Sequence, residues 1–352
     1  MPIVDRQLLG KDAWDAAADS SPEAWFWHRF DVCDTTIRGW HGRTDEGFAV
    51  VDEHGKIDAL IPAFALRSQA HLGLPVCHLN SMGGPALACD LGRSRRQETL
   101  EIVAAELRRR ASRRRAIRTE ISVPTMAPAT RGPQGPRCNP LLYLPGCNDA
   151  SGQTWIADLR DGADAAWKRF EGRARTSVRR AEEAGLTVRT SSDPQEWRVF
   201  FELHQTTYRR LGVPSYPQAL FQAIYERLVP AGICHVRFAE LNGTPVAATN
   251  FACYKQGGYF WHGFASEVGL KTNALTLLIW SSIKTLTEAG TLLWLDCGDA
   301  VLQTQDKMRQ LSEFKRSFGG ELYPVFRGRM PGTSKLYHRL MHLRGLITGS
   351  AP

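Results

Sequence analysis

The stretch HVRFAELNGTPVAATNFACYKQGGYFWHGFA, residues 235–265, holds the clearest strand pattern in this chain of 352 residues. Three runs in it, 235–241, 245–254 and 258–265, alternate between apolar and polar side chains, as half-buried strands do. The pairs Asn242-Gly243 and Gln256-Gly257 separate the runs, and Gly-containing pairs are typical of tight hairpins. The stretch therefore predicts three consecutive antiparallel strands.

Helices are predicted on both sides of these strands. Gly185 stands where a left-handed residue ends a helix, and Asp193 is a good N-cap for the next one. The predicted helices cover 163–170, 172–184, 194–211, 217–228, 273–289, 306–318 and 335–347, and further strands cover 154–159, 186–190, 292–296 and 322–327. This order indicates an α/β (α+β) domain with a mostly antiparallel sheet, and it resembles the order of a GNAT acyltransferase domain.

The first half of the sequence gives a weaker version of the same order. A helix over 96–110 has an apolar stripe at helical spacing, and a strand over 57–66 is predicted to be broken or at an edge because it contains Pro62. Residues 20–22, Ser-Ser-Pro, indicate the start of a short helix. The loop 124–145, rich in Pro and Gly, leads to the second half.

Composition restricts the class of protein. The 44 Lys and Arg outnumber the 36 Asp and Glu, and the net charge of +8 permits an anionic partner. The eight cysteines lie singly, which argues against a zinc knuckle or a disulfide scaffold. No apolar run is long enough to span a membrane, and the first residues lack the layout of a signal peptide. A cytoplasmic protein without a membrane span is therefore expected.

Four segments of the second half resemble motifs of the FemABX aminoacyltransferases. They are RARTSVRRAEEAGLTV (173–188), TYRRLG (207–212), LWLDCG (293–298) and EFKRSFGG (313–320). The last is the most specific. The resemblance implies two tandem GNAT-like domains with mixed, mostly antiparallel sheets flanked by helices. It divides the chain into a degenerate GNAT-like domain (1–150), a catalytic domain (151–320) and a C-terminal segment (321–352) that returns to the first domain.

The resemblance also implies roles for individual residues. Lys315 would stabilise negative charge at the transfer site, Arg210 would hold a phosphate of the acceptor, and Phe314 belongs to the same motif as a substrate-binding residue. Asp296, at the end of a buried strand, would orient or deprotonate the attacking amine. The structural alternatives are a surface lysine, a salt-bridged arginine, and a carboxylate that caps a turn.

Two groups of arginines are candidates for contact with RNA. Arg173, Arg175, Arg179 and Arg180 follow one predicted helix and would track a phosphate backbone. The alternative is a solvated helix face. The cluster over 108–118 is also explained by the preference of cations for a helix C-terminus.

No cofactor and no metal is predicted. His338 and His342 have the spacing of a metal pair on a helix, but Arg339 replaces the Glu of a zincin motif. A nucleophile pair of Cys297 and His262 has no support in the sequence. The loop SEVGLKTNA (266–274) lacks the Gln/Arg-x-x-Gly-x-Gly/Ala pattern with which GNAT enzymes bind the pyrophosphate of acetyl-CoA.

The sequence therefore predicts an aminoacyl-tRNA-dependent aminoacyltransferase that forms an amide on an amine acceptor. That acceptor is either a peptidoglycan precursor or a small natural-product intermediate, and the oligomeric state is left open. The alternative is an acyl-CoA-dependent GNAT N-acyltransferase of polysaccharide or lipid assembly. A third hypothesis is an RNA- or protein-binding module without catalysis.

Overall fold

The structure is a computed structural model, and it describes residues 1–69, 75–133, 135–191, 193–302 and 307–332. The strands in these ranges are β1 (Ile3–Asp5), β2 (Arg43–Asp45), β3 (Phe48–Val51), β4 (Ile57–Ile61), β5 (Phe64–Gln69), β6 (Pro75–Ser81), β7 (Ala86–Leu87), β8 (Arg118–Ser122), β9 (Asn148–Asp149), β10 (Gly152–Asp158), β11 (Thr187–Thr190), β12 (Cys234–Leu241), β13 (Thr244–Tyr254), β14 (Gly257–Ala265), β15 (Trp294–Asp299), β16 (Glu321–Val325) and β17 (Arg327–Pro331).

The α-helices in the same ranges are α1 (Arg6–Leu9), α2 (Lys11–Ser20), α3 (Phe30–Arg38), α4 (Arg93–Arg114), α5 (Ala163–Arg169), α6 (Gly172–Glu183), α7 (Trp197–Leu211), α8 (Gln218–Ala223), α9 (Glu267–Lys271), α10 (Ala274–Glu288) and α11 (Lys307–Arg316). A π-helical turn, Ile224–Leu228, continues α8, and 3-10 turns occur at Phe26–His28, Pro140–Tyr143 and Pro194–Glu196.

Two sheets form the first half of the molecule. One has the strand order β1-β3-β4-β7, and the other has the order β2-β5-β6-β8-β17-β9. Pro62, which has no N–H for a ladder, lies between β4 and β5, and these two strands join different sheets. The predicted broken strand is therefore confirmed. In the second of these sheets β6 and β8 are parallel, with His78–Ser81 beside Arg118–Ile121, and α4 connects them.

A sheet of seven strands, in the order β11-β12-β13-β14-β15-β10-β16, forms the second half. Its only parallel pair among the described strands is β14 with β15. Side chains alternate across this sheet as period two requires. Ala247 packs with α6 and α10, whereas the next residue, Ala248, packs with α7 on the opposite face. Buried helices thus cover both faces of the sheet, and the predicted tandem GNAT-like fold class is confirmed.

The two halves share backbone and side-chain contacts. β16 belongs to the seven-stranded sheet, while β17, one residue further on, pairs with β8 and β9 of the first half. The indole Nε1 of Trp25 donates to the carbonyl of Tyr254 at 2.9 Å. The half-buried ammonium of Lys255 donates to the carbonyls of Ala18 and Ser21 at 2.7 and 2.6 Å.

Several predicted boundaries differ from the structure. The Ser-Ser-Pro signal at 20–22 does not start a helix: α2 ends at Ser20, and the next α-helix begins at Phe30. Asp193 does cap its segment, with its carboxylate accepting from the N–H of Gln195 at 2.8 Å, but the segment opens as a 3-10 turn. The helix predicted over 335–347 lies outside the described residues.

Candidate functional site

The parallel strands β14 and β15 pair only at their beginnings. Gly257–Tyr259 lie beside Trp294–Asp296, and β14 then continues for six residues without β15 alongside. On its other edge β15 pairs with β10, and a bulge at Cys297 interrupts that ladder. Strands that separate leave backbone N–H and C=O groups without ladder partners, so this end of β15 is suited to receive a ligand.

Asp296 lies where the two strands separate, and it is buried. Its carboxylate accepts hydrogen bonds from the hydroxyl of Thr154 at 2.5 Å, from the N–H of Gly298 at 2.8 Å and from the hydroxyl of Thr125. Burial raises the pKa of Asp296, and the two threonine hydroxyls oppose that rise because they stabilise the charged form. Thr125 comes from the loop after β8, so both halves of the molecule contribute to this site.

Lys315 reaches the same place from α11. A Cβ built on Gly298 would lie 2.7 Å from the Nζ of Lys315, so the ammonium rests directly against the backbone of that glycine. Gly298 has a φ of 101°, which a residue with a side chain rarely adopts. Burial lowers the pKa of Lys315, while Asp299 and Asp296 act in the opposite direction. Among the described residues no carboxylate forms an ion pair with this ammonium.

Helix α11 is held against the sheet one turn before Lys315. The buried hydroxyl of Ser312 accepts from the indole Nε1 of Trp155 at 2.9 Å and from the N–H of Val301 at 3.0 Å. The ring of Phe314 packs on Phe318, with centroids 4.9 Å apart. These contacts fix the helix, and Phe314 and Phe318 are the two phenylalanines of the EFKRSFGG motif. For Phe314 the contact is with the core, and its role in substrate binding stays a prediction.

Arg210 lies at the other end of β14. Its Nη1 donates to the carbonyl of Ala265 at 3.0 Å, and the hydroxyl of Thr207 bonds to the backbone of the same residue. Ala265 is six residues beyond Tyr259, the partner of Asp296, which corresponds to about 20 Å of strand. The structure therefore does not place Arg210 beside Lys315. Arg210 forms no salt bridge within the described residues, and its role as an acceptor anchor stays a prediction.

The four arginines predicted to contact RNA have different environments. Arg175 donates to carbonyls at the end of α5, including that of Phe170 at 2.5 Å, and Arg173 donates to the carbonyl of Glu313 and pairs with Glu171. Arg179 and Arg180 are exposed, and neither has a partner within the described parts of the chain. The latter two are the better placed for contact with a phosphate backbone.

The arginine cluster over 108–118 is largely engaged inside the first half. Glu46, whose side chain is fully buried, accepts from Arg113 at 2.6 Å and also pairs with Arg110 and Arg114. The guanidinium of Arg110 also contacts Glu106 at 2.5 Å. Because buried charges need partners, this network accounts for most of the cluster without RNA.

One cationic residue that the sequence analysis did not single out is Arg43. Its guanidinium carbon lies 4.6 Å from the ring centroid of Trp40 and 4.4 Å from that of Phe64. Nη1 donates to the carbonyl of Thr36, but the buried Nε has no partner in the described structure, and burial lowers the pKa of Arg43 to about 10. Tyr216, from the second half, packs 4.9 Å from Trp40. These residues come from separate elements, so no local motif identifies them.

The structure does not support a Cys297–His262 nucleophile pair or a metal site in the described residues. Cys297 packs in the core beside α10, whereas His262 packs among the rings of Phe200 and Phe221. Burial lowers the pKa of His262 to about 3 and raises that of Cys297. No cluster of potential metal ligands occurs within the described ranges, which do not include His338 and His342.

The loop that would bind a pyrophosphate in a GNAT enzyme is occupied by α9. Ser266 caps this helix, with its hydroxyl accepting from the N–H of Gly269 at 3.1 Å. Gly269 itself packs against β13, where an added Cβ would lie 2.3 Å from the carbonyl oxygen of Val246. A backbone N–H that would otherwise face an anion thus already has a partner in the chain.

Comparison with known proteins agrees with this architecture. A family model described as an acetyltransferase (GNAT) domain matches residues 168–316. The crystal structure of FemX is 15% identical, has a TM-score of 0.71, and is matched over 97% of this chain and 100% of that chain. The chain has a FemX-like fold that carries a GNAT acyltransferase domain. The resemblance to the FemABX proteins is confirmed in the fold, and the match to a GNAT domain supports the prediction of a transferase.

Two further solved structures share the fold. The C-terminal domain of a putative lysylphosphatidylglycerol synthetase from Agrobacterium fabrum is 15% identical, with a TM-score of 0.53, over 90% of this chain and 95% of that one. A tandem GNAT protein from the clavulanic acid biosynthesis pathway is 11% identical, with a TM-score of 0.51, over 83% and 84%. The comparison with curated protein sequences gives no match. Among the described helices, none is long and apolar enough to cross a bilayer.

Proposed function

We propose that this FemX-like protein is an aminoacyltransferase that moves an amino acid from its tRNA onto an amine acceptor and forms an amide. The observation that carries the proposal is the half-buried ammonium of Lys315, which rests on Gly298 beside Asp296 and has no carboxylate in ion-pair contact within the described structure. A cation held in this way is available for negative charge that develops during a reaction.

The reaction is an acyl transfer at the ester carbonyl of the aminoacyl-tRNA. The amine nitrogen attacks the carbonyl carbon, and the carbonyl oxygen takes negative charge in the tetrahedral intermediate, where Lys315 stabilises it. The C–N bond forms, the C–O bond to the ribose breaks, and the tRNA leaves with its hydroxyl restored. The proton that the amine loses passes through Asp296, whose raised pKa suits a proton acceptor.

The acceptor is proposed to lie between the two halves. Arg43, with its unpartnered Nε and its aromatic neighbours, is suited to an anionic group such as a phosphate or carboxylate. Arg210 is the second proposed anchor, as the sequence motif implies. A peptidoglycan precursor or a small natural-product intermediate satisfies this requirement, and the proposal places the reaction in the cytoplasm. The likeness to FemX and to a tandem GNAT protein of clavulanic acid biosynthesis supports acceptors of both kinds.

The test is transfer of labelled amino acids from a charged total-tRNA pool to a panel of peptidoglycan precursors and small amines, with and without prior RNase treatment. We expect enzyme-dependent label in an amide product that disappears after RNase treatment and in the Lys315→Met variant. Lys284→Met, an exposed lysine on α10, is the matched control and should keep full activity.

An acyl-CoA-dependent N-acyltransferase is the second candidate, and the GNAT acetyltransferase model over 168–316 favours it. The engaged N–H of Gly269 argues against a pyrophosphate in that loop. Turnover of acetyl-CoA or another acyl-CoA, together with no transfer from any charged tRNA, would overturn the tRNA-dependent proposal.

A further inference from the structure

An exposed edge of the second half combines aliphatic and cationic side chains. It consists of the end of α7 with the following loop, residues 209–213, and of α9, residues 268–271; we call these two segments the α7–α9 edge. Leu211, Val213, Val268 and Leu270 are 49%, 46%, 47% and 46% exposed. Arg209 and Lys271 are exposed as well, and neither has a partner among the described residues. We propose that the α7–α9 edge docks on the surface of an anionic lipid bilayer.

The two segments are held together by contacts on β14. The Nη1 of Arg210 and the hydroxyl of Thr207, both on α7, bond to the backbone of Ala265. Ala265 directly precedes Ser266, the residue that caps α9. Gly269, at the centre of α9, packs inward against Val246, which leaves Val268 and Leu270 at the surface on either side of it. Ala265 and Ser266 thus join the end of α7 to the start of α9, and the four aliphatic side chains are exposed on these two neighbouring segments.

The combination of side chains favours a bilayer over a nucleic acid. The transfer of aliphatic groups out of water is favourable, but a phosphate backbone offers them no apolar environment. A bilayer interface offers an apolar environment, and its anionic head groups attract the neighbouring Arg209 and Lys271. The only carboxylate within 266–272 is Glu267. An RNA partner would leave the four exposed aliphatic side chains without an apolar environment.

The position of the edge also agrees with docking. Its side chains lie on a short helix and at a helix end, and their backbones are anchored to the sheet, so they present a preformed surface. Membrane association of this kind is peripheral and needs no spanning helix, in accordance with the absence of one from the described residues.

The test is co-sedimentation of the full-length protein with vesicles of phosphatidylcholine mixed with phosphatidylglycerol, and with vesicles of phosphatidylcholine alone. We expect binding to the mixed vesicles that weakens as salt is added, because salt screens the cations. The double variant Leu211→Ser/Val268→Ser should lower the partition coefficient roughly tenfold or more. The variant Arg209→Gln/Lys271→Gln should lower it roughly tenfold on mixed vesicles only.

The control is Leu8→Ser/Leu142→Ser, two exposed leucines of the first half that are 81% and 54% accessible. It should bind vesicles as the unaltered protein does. Equal losses in the control and in Leu211→Ser/Val268→Ser would overturn the proposal, as would no binding to either kind of vesicle. Binding of tRNA that depends on Arg209 and Lys271, without vesicle binding, would assign the edge to RNA instead.

Discussion

Among the described strands, each half of this FemX-like molecule has one parallel pair joined through a long helix, and the two pairs end differently. In the first half, β6 and β8 stay paired up to Ser81 and Ile121, close to their ends. In the second half, β14 and β15 part after three residues each. Asp296 and Lys315 lie at the place where β14 and β15 separate. The two halves share a parallel pair of strands. The point at which the pair separates distinguishes the half that carries the proposed chemistry.

The charged side chains of the two halves also differ in their ion-pair partners. In the first half, Glu46 is surrounded by three arginines, so its charge is compensated inside the protein. In the second half, the ammonium of Lys315 has no ion-pair partner within the described ranges, and Asp299, which lies nearby, pairs with Arg327 at 2.7 Å. A charge engaged in ion pairs holds a structure together, whereas a charge without an ion pair is available to a substrate.

The largest expected effect concerns Lys315. We expect Lys315→Met to reduce kcat by roughly 10²–10³-fold, because the developing oxyanion loses its cation. Thermal stability should not fall, since the substitution removes a charge whose burial disfavours the protonated form. Steady-state kinetics and thermal unfolding measure the two quantities. An active Lys315→Met enzyme would mean that the lysine is a structural residue.

For Glu46 we expect a loss of stability and little change in kcat. Glu46→Gln leaves three arginines around a neutral side chain, and we expect the free energy of unfolding to fall by about 3 kcal/mol. The kcat of the folded enzyme should stay within about twofold of normal, because Asp296 bonds to Thr125, Thr154 and Gly298 and, among the described residues, shares no partner with the Glu46 network. Denaturant titration and kinetics at low temperature test this pair of expectations. A large loss of kcat without loss of stability would break the comparison of the two halves.

A smaller effect is expected at Gly298. A methyl group there would meet the Nζ of Lys315 and would also strain a backbone at positive φ. Gly298→Ala should therefore lower kcat about tenfold beyond any effect of strain alone. Gly185→Ala is the control, because its φ is also positive at 80° and an added Cβ meets nothing within 4 Å. If both variants keep the same activity, the ammonium is not constrained by its contact with Gly298.

The smallest effect is a shift in pH dependence. Asp296 must be deprotonated to accept a proton, so activity should fall as pH decreases through its raised pKa. Thr125→Val removes a hydroxyl that stabilises the charged form, and should move this acidic limb up by about 0.5–1 pH unit. The control is Thr130→Val in the same loop, because the hydroxyl of Thr130 donates to the backbone carbonyls of Pro124 and Ala127 and not to Asp296. An unmoved limb would exclude Asp296 as the titrating group.

Much of the fold could be predicted because the local patterns agree with one another. The runs over 235–265 became β12, β13 and β14, and the break at Pro62 occurs as expected. The start of α3 was missed, because its N-cap is Arg29, which provides no side-chain hydrogen bond. The positive φ values of Lys255 and Gln256 shift the second hairpin turn by one residue from the predicted pair.

The site was less predictable, because its parts come from distant segments. The motif residues Asp296 and Lys315 do come together, but Thr125 and Arg43 have no motif around them. Arg175, which a sequence pattern assigns to RNA, instead caps the end of α5. Its contacts depend on which carbonyls are left free after the chain folds, and periodicity does not specify that.

The last two described strands have a consequence for how the protein is made. β17 lies between β8 and β9, so the six-stranded sheet lacks its fifth strand until residue 331 has left the ribosome. Domains made early in synthesis usually fold first, but here the six-stranded sheet of the N-terminal half is complete only after β17 has been made. During that interval the edge of β8 is open, and a nascent chain with an open strand edge is a substrate for chaperones.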